Sequence, residues 1–266
     1  MRLLIDTRRT TEQNAADHYE RAKKAKRKIE GTLRAIAKAR DLLAKEVAGT
    51  AARPAPQARA PTRKREWFEA FRWFLTSDGF LCVGGRDAAT NETVVKKHAA
   101  AGDLVFHTDA AGAPFVILQL EGREATDTAK EEAAQFAAVT SRAWKSGVGA
   151  IAVFCAAPDQ LSKTPNTGEY LGKGAFVVRG HVTYFRPALA YAIGRDAQGR
   201  VMGGPPAAVR EHCTESYEVL QGDEKPSDVA KRLARLLDVT PDEIIRVLPP
   251  GNVGLGSRIG VSVRST

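Results

Sequence analysis

The sequence predicts an α+β fold: a mixed sheet with packed helices, preceded by a basic coiled-coil-like helix and followed by a small α/β tail. Three observations carry this. A cation-rich, heptad-spaced stretch opens the chain, an Ala/Pro-rich stretch follows it, and beyond residue 63 short apolar runs alternate with helix-period segments. The implied organisation is a basic helix over 1–48, a linker over 49–62, a main domain over 63–194 and an extension over 195–266 that packs on it.

Residues 14–48 read as one helix. Tyr19, Ala22, Lys26, Ile29, Leu33, Ile36, Arg40, Leu43 and Val47 alternate steps of three and four, which is a coiled-coil seam interrupted by two cations. Its outer face carries Lys23, Lys24, Arg27 and Lys28, either a solvated face or a set of phosphate contacts. Prolines 54, 56 and 61 then forbid a continuous helix. Trp67, Phe71 and Phe74 fall at i, i+4 and i+7, as on one helical face, which leaves Trp73 off that face. Ser77-Asp78-Gly79 is a turn, residues 80–83 a strand, and 87–98 a helix ending before Gly102. Strands are expected at 104–106 and 115–120, and a helix at 127–145 with Ala133, Phe136, Ala137 and Trp144 inward. Residues 150–155 and 175–179 read as buried strands, and 182–185 and 189–193 continue the β pattern. In the tail, Gly203-Gly204-Pro205-Pro206 reads as a break and 217–220 as a strand. Ser227 reads as the cap of a helix to Leu237, and Thr240-Pro241-Asp242-Glu243 as the start of another, stopped by Pro249-Pro250-Gly251.

The 266 residues carry a formal charge of +9, which favours anionic partners such as nucleic acid or an acidic surface. Cys82, Cys155 and Cys213 are far apart and form no CxxC pair, which argues against a zinc site or a disulfide framework. Cys82 and Cys155 lie in apolar runs, as core thiols do in a reducing compartment. The first residues run straight into charged sequence, unlike a signal peptide, and no apolar stretch approaches the length of a membrane span.

Most motifs that would carry catalysis fail on spacing. Gly168 to Gly174 resembles a phosphate loop, but its first gap is one residue short and Gly174 stands where Ser or Thr would hold magnesium. Gly254-x-Gly256 to Gly260 has one residue too many for a dinucleotide fingerprint and no βαβ unit after it, so it reads as a flexible Gly-rich tail. His107-Thr108-Asp109 lacks further ligands at metal spacing. An RNA-processing or modifying enzyme using His107, Asp109 and Lys163 stays open beside a binding role for the same groups. No cofactor or metal is called for. Trp67, Phe71, Trp73 and Phe74 interleave with Arg63, Lys64, Arg65 and Arg72, a mixture suited to stacking on bases and contacting phosphate. Trp73 is the stacking candidate, since the other three share the apparent core face.

The run from Glu66 through Trp67, Phe68 and Trp73 to Phe74, then Ser77-Asp78-Gly79-Phe80-Leu81 and Gly84-Gly85-Arg86-Asp87 to Glu92, resembles the opening of the RNA-binding (R) domain of the NFACT ribosome-quality-control family. Val95 to His98, Gly102 to Asp109, Ser162-Lys163-Thr164-Pro165, Thr167 to Leu171 and Gly174 to Gly180 continue the likeness in order and spacing, over roughly 63–190. Asn14 to Gly31 is similar to the family's entry into its coiled coil. Met202-Gly203-Gly204-Pro205 and Leu248-Pro249-Pro250-Gly251 are similar to the archaeal branch.

The resemblance implies a cytoplasmic, non-enzymatic factor that binds tRNA and the large ribosomal subunit carrying a stalled nascent chain; any peptide-bond chemistry belongs to the ribosome. It lends context to Gly84, Gly85, Arg86, Asp87 and Asn91, with Gly84 and Gly85 allowing close approach of an RNA backbone or a neighbouring strand and Arg86 suited to phosphate; Arg72, Trp73, Lys96, Lys97, His107, Lys163, Lys173 and Arg179 join them as candidate RNA contacts. Arg86 alternatively pairs with Asp87 or another acid. The sequence departs from the family in three ways: the large N-terminal domain is missing, the coiled-coil arm is shortened, and Ala111 replaces a second histidine common in that loop. The first departure leaves room for an adaptor role, in which the basic helix pairs with a separate chain bearing the N-terminal domain.

Overall fold

The structure, a computed structural model, describes residues 5–50, 65–109, 112–164 and 171–260, without the side chains of 42–50. The linker beyond Thr50, Ala111, and Pro165 to Tyr170 of the glycine-rich motif lie outside the described residues. The chain divides into two compact units, Met1–Lys64 and Arg65–Thr266.

In the first unit, α1 runs Thr11–Thr50, somewhat longer than the seam alone indicates. A reciprocal cap starts it: Gln13 N–H donates to Thr10 Oγ1 at 3.3 Å, and Thr10 N–H donates to Gln13 Oε1 at 3.1 Å. Asn14 anchors the preceding turn by accepting from Asp6 N–H at 2.8 Å and donating to Asp6 O at 3.0 Å. The seam residues Tyr19, Ile29, Leu33 and Ile36 are exposed. Surface pairs Asp17–Arg21 and Glu30–Arg34 at i,i+4 support the helix only weakly, at about 0.3–0.5 kcal/mol each.

The second unit is built on two antiparallel sheets. The first has the order β1-β2-β4-β3-β5-β8, from β1 (Arg72–Leu75), β2 (Leu81–Gly84), β3 (Leu104–Thr108), β4 (Val116–Leu118), β5 (Val153–Ala156) and β8 (Thr183–Phe185). The second has the order β10-β9-β11-β12, from β9 (Tyr191–Asp196), β10 (Val201–Gly204), β11 (Cys213–Glu224) and β12 (Val253–Ile259). A separate two-stranded ribbon pairs β6 (Leu161–Ser162) with β7 (Val177–Val178). Helices α2 (Ala88–Thr93), α3 (Asp127–Val139), α4 (Arg142–Lys145), α5 (Pro206–His212), α6 (Pro226–Leu236) and α7 (Pro241–Val247) complete it. The α+β expectation holds. Among the described residues, no helix is long and apolar enough to cross a membrane.

The apparent helix through Trp67, Phe71 and Phe74 does not form. Trp67–Ala70 makes a single 3-10 turn, Phe71 is extended, and Arg72–Leu75 pairs with β2, Trp73 opposite Val83 and Phe74 opposite Cys82. Aromatic side chains suit a strand covered on both faces, and cross-strand pairing overrides the fortuitous helical spacing. The helix expected over 127–145 is interrupted: Thr140 ends α3, and Ser141 caps α4 by accepting from Ala143 N–H at 3.1 Å. Residues 175–179 supply only the short, half-buried β7.

Gly203 and Gly204 lie inside β10. A Cβ at Gly203 would sit 2.4 Å from Tyr191 Oη, and one at Gly204 2.9 Å from Phe74, so these glycines permit packing and do not mark a break. The Gly-rich segment at 254–260 supplies most of β12, paired along β11. The α6 cap position belongs to Lys225, with Pro226 in the first turn, and not to Ser227. Thr240 caps α7 as the sequence indicates, with Glu243 returning the bond.

One core joins both sheets. Phe74 and Phe136 meet at 4.7 Å, and Tyr191 reaches Phe136 and Trp144 at 6.4 and 6.3 Å. Met202, Val219 and Leu233 of the extension are each at most 1% exposed. At about 1.5–3 kcal/mol per large buried side chain, the extension is integral to the fold.

Candidate nucleic-acid interface

An open cavity of about 560 Å³ lies where the end of β2, the start of α2, the 112–115 loop, the α3–α4 joint and the 173–176 loop meet, with Pro250 from the extension on its rim. Four cations line it, Arg72, Arg86, Arg142 and Lys173, against one acid, Asp87.

The local sequence explains why that acid does not neutralise the arginines. Asp87 caps α2, accepting from Thr90 N–H at 2.8 Å, while Thr90 Oγ1 accepts from Arg86 and Asp87 N–H at 2.8 and 2.9 Å. These bonds to Thr90 hold the Asp87 carboxyl below its usual range. The Arg86–Asp87 pair considered from sequence is not made. Arg86 Nη2 instead donates to Phe71 O at 2.8 Å, and among the described residues its buried Nε has no hydrogen-bond partner. Arg72 Nη1 donates to Leu248 O at 2.7 Å. Among the described residues, none of the four cations has a carboxylate within 4.0 Å.

Burial, then the neighbouring charges of Arg72 and Arg246, lower the Arg86 guanidinium from its ordinary value, and burial lowers Arg72 likewise. Arginine is not deprotonated in proteins, so both remain charged. Mutually repelling, half-desolvated guanidiniums without acids are stabilised by an incoming anion, and their planar forks suit phosphate.

The glycines and Asn91 shape the wall. A Cβ at Gly85 would fall 2.0 Å from Asn91 Oδ1, and one at Gly84 3.0 Å from Val116 Cγ2. The close approach seen at these glycines is to this protein's own strand β4 and helix α2. Asn91 accepts from Phe115 N–H at 3.2 Å, tying α2 to the 113–115 loop. Its role is likewise in the wall. Gly112, at φ +89°, leaves the space that Arg142 Nε occupies; a Cβ there would be 2.5 Å away.

His107 stacks on Phe115 at 4.3 Å and tilts against Phe154 at 5.6 Å. Burial pushes its pKa down, so the imidazole is neutral near pH 7 and lines the cavity as a ring and hydrogen-bonding group, not as a cation. The cavity thus gathers Arg72, Gly85, Arg86, Asn91, His107 and Lys173 from the sequence-derived set, and adds Arg142. Nothing in the spacing around Arg142 marks it; only the fold brings it over Gly112.

Other expected contacts lie elsewhere. Trp73 is 3% exposed, packed on Phe68 at 4.6 Å with the Arg200 guanidinium 5.2 Å from its ring, so it offers no face to a base. Trp67, assigned to the core by its spacing, is 43% exposed and stacks on His98 at 4.2 Å. The assignment inverts because the chain turns extended at Phe71. Lys96 pairs with Glu92 at 2.6 Å. Lys163 donates to Ala175 O at 2.9 Å, approaches Glu92 at 3.6 Å and sits 4.2 Å over Phe176. Lys97 is exposed, and the exposed Arg179 donates to Thr164 O at 3.4 Å. Lys23, Lys24, Arg27 and Lys28 are exposed on α1.

The enzyme alternative gains no geometry. Lys163 sits on Phe176, which meets Phe115 at 5.2 Å, and Phe115 in turn stacks on His107. Among the described residues, no cluster of three His, Cys, Asp or Glu is placed to hold a metal.

The fold and this cavity define an α+β module in which cations and aromatic rings line one concave space. Comparison with known proteins shows what it is similar to: residues 70–180 match the NFACT protein RNA binding domain. It is 37% identical over 196 residues to the archaeal Rqc2 homolog aRqcH of Methanocaldococcus jannaschii, covering 71% of this chain and 29% of that one. It is 33% identical over 177 residues to the human ribosome quality control complex subunit NEMF, covering 66% of this chain and 16% of that one. A Drosophila melanogaster NEMF homolog is 41% identical over 119 residues, 44% of this chain and 12% of its own. The chain therefore spans less than a third of the length of these relatives.

Proposed function

We propose that this chain is a non-enzymatic RNA-binding factor that contacts tRNA or the rRNA of the large ribosomal subunit during quality control of stalled nascent chains, in the cytoplasm. The observation that carries the reading is the cavity of Arg72, Arg86, Arg142 and Lys173, most of which falls inside the segment matching an RNA-binding domain. The names of its relatives supply the ribosomal context. Lys96, Lys97, Lys163, Arg179 and the exposed Trp67 extend a contact surface beyond the cavity. The basic helix, Lys23, Lys24, Arg27 and Lys28 included, adds non-specific phosphate attraction across the linker at 49–62. Its exposed seam also suits pairing with a chain bearing the family's N-terminal domain.

The test is tRNA binding by the full chain across a salt series. Affinity falls linearly in log–log form as salt rises, and Arg86→Glu with Arg142→Glu weakens it strongly. Absence of binding at low salt, or binding indifferent to this double reversal in a folded protein, overturns the reading.

A further inference from the structure

We propose that the cavity takes one unpaired nucleotide at a time, with its phosphate on Arg86, Arg142 and Lys173 and its base against Phe176 and Pro114. This rests on the RNA-binding reading and narrows it from a charged surface to a nucleotide-sized site.

Shape is the first ground. Arg72, Arg86, Arg142 and Lys173 line a concave space of about 560 Å³, within the range of small-molecule sites and unlike a track for a double helix. In a paired stem the base is stacked inside the helix, and only a strand end, loop or bulge can put one base into a pocket.

Chemistry is the second ground. A site for bare phosphate needs cations and donors and gains nothing from an apolar wall. Here Ala113, Pro114, Phe115, Phe176 and Pro250 share the lining with the cations. Phe176 is partly exposed and held edge-on by Phe115 at 5.2 Å, so its ring is fixed before any ligand arrives. Aromatic faces stack on any base, which suits a site that accepts RNA ends or loops without a sequence requirement. His107, neutral and partly accessible beside Phe115, adds a hydrogen-bonding edge that a ribose or base can use.

The third ground is the unmet demand of Arg86. Its Nε is buried in the cavity wall with no hydrogen-bond partner among the described residues, and the adjacent acid is committed to the α2 cap. A phosphate at the accessible part of the guanidinium supplies the counter-charge that the wall withholds.

The experiment compares two labelled RNA hairpins of identical stem with the full chain, one ending in three unpaired 3′ nucleotides and one blunt, at fixed moderate salt. The overhang hairpin binds about tenfold more tightly, and a nucleoside monophosphate displaces it at concentrations where inorganic phosphate does not. Phe176→Ala, at a partly exposed position, erases the overhang preference while blunt-stem affinity changes no more than about threefold. Equal binding of both hairpins without displacement by the monophosphate overturns the nucleotide site and leaves RNA binding standing. Displacement by inorganic phosphate as readily as by the monophosphate reduces the cavity to an anion site and also overturns the proposal. Failure of both hairpins to bind at low salt overturns the RNA-binding reading itself.

Discussion

The chain holds its positive charge in two contrasting ways. On α1 the cations of residues 21–28 stand exposed on a helix, with no more than weak surface pairs such as Asp17–Arg21 and Glu20–Lys23 to hold them. At the cavity, Arg72 and Arg86 are pinned to backbone carbonyls and partly buried, and the surrounding glycines have no room for a side chain. The first arrangement attracts any polyanion and is readily screened. The second pre-orients a few charges where little water competes, which is how a protein gains strength and geometry from few groups.

The contrast breaks most sharply at two glycines. Gly85→Ala is expected to cost about 3 kcal/mol or more, because its Cβ would collide with the Asn91 side chain and backbone. Gly31→Ala on α1, where nothing lies within 4 Å, is expected to raise helicity by about 1 kcal/mol. Thermal melts followed by circular dichroism decide both, and equal responses would erase the distinction. Next in size, Arg86→Glu with Arg142→Glu is expected to weaken tRNA binding about 100-fold, two charge-assisted contacts at about 1.5 kcal/mol each. Changing Lys23, Lys24, Arg27 and Lys28 together to Gln is expected to cost about tenfold or less at low salt and to flatten the salt slope, with the difference vanishing at high salt. A larger effect from the helix than from the cavity would reverse the ranking of the two regions.

The smallest effect concerns pH. His107 is held below its ordinary pKa by burial, so the unfolded chain binds its proton more readily than the folded one. Its contribution is therefore intact above the unfolded value near 6.5 and falls away as pH drops below it towards the folded value. Burial lowers His98 in the same direction, followed by the charge of Lys97. Chemical unfolding between pH 7.5 and 5 should show stability falling by roughly 1 kcal/mol, and His107→Gln should leave only the shallower slope due to His98.

The sequence conveyed the mixed architecture, the long first helix, the α2 and α7 segments and most strands of the first sheet, because apolar period and capping chemistry are local signals. Phe71 to Leu75 misled because aromatic residues at i, i+4 and i+7 satisfy a helix template while a partner strand decides otherwise. Gly203 and Gly204 read as a break because a glycine's reason lies across the fold, here in Tyr191 and Phe74. The candidate site was legible as residues likened to a family, six of which line the cavity, but not as geometry. Arg142 sits on the short α4 and reaches the others only over Gly112, so no reading along the chain brings it in. Trp67 and Trp73 exchanged roles for the same reason that the strand was missed.

The bond from Arg72 to the carbonyl of Leu248 joins residues 176 positions apart, and the matched segment ends at residue 180. The segment matched by the family model is thus smaller than what must fold together. A fragment trimmed to the recognisable portion would strand a buried cation and strip one side of the hydrophobic interior. In borrowing this module, a longer protein or an experimenter has to take the tail along with it.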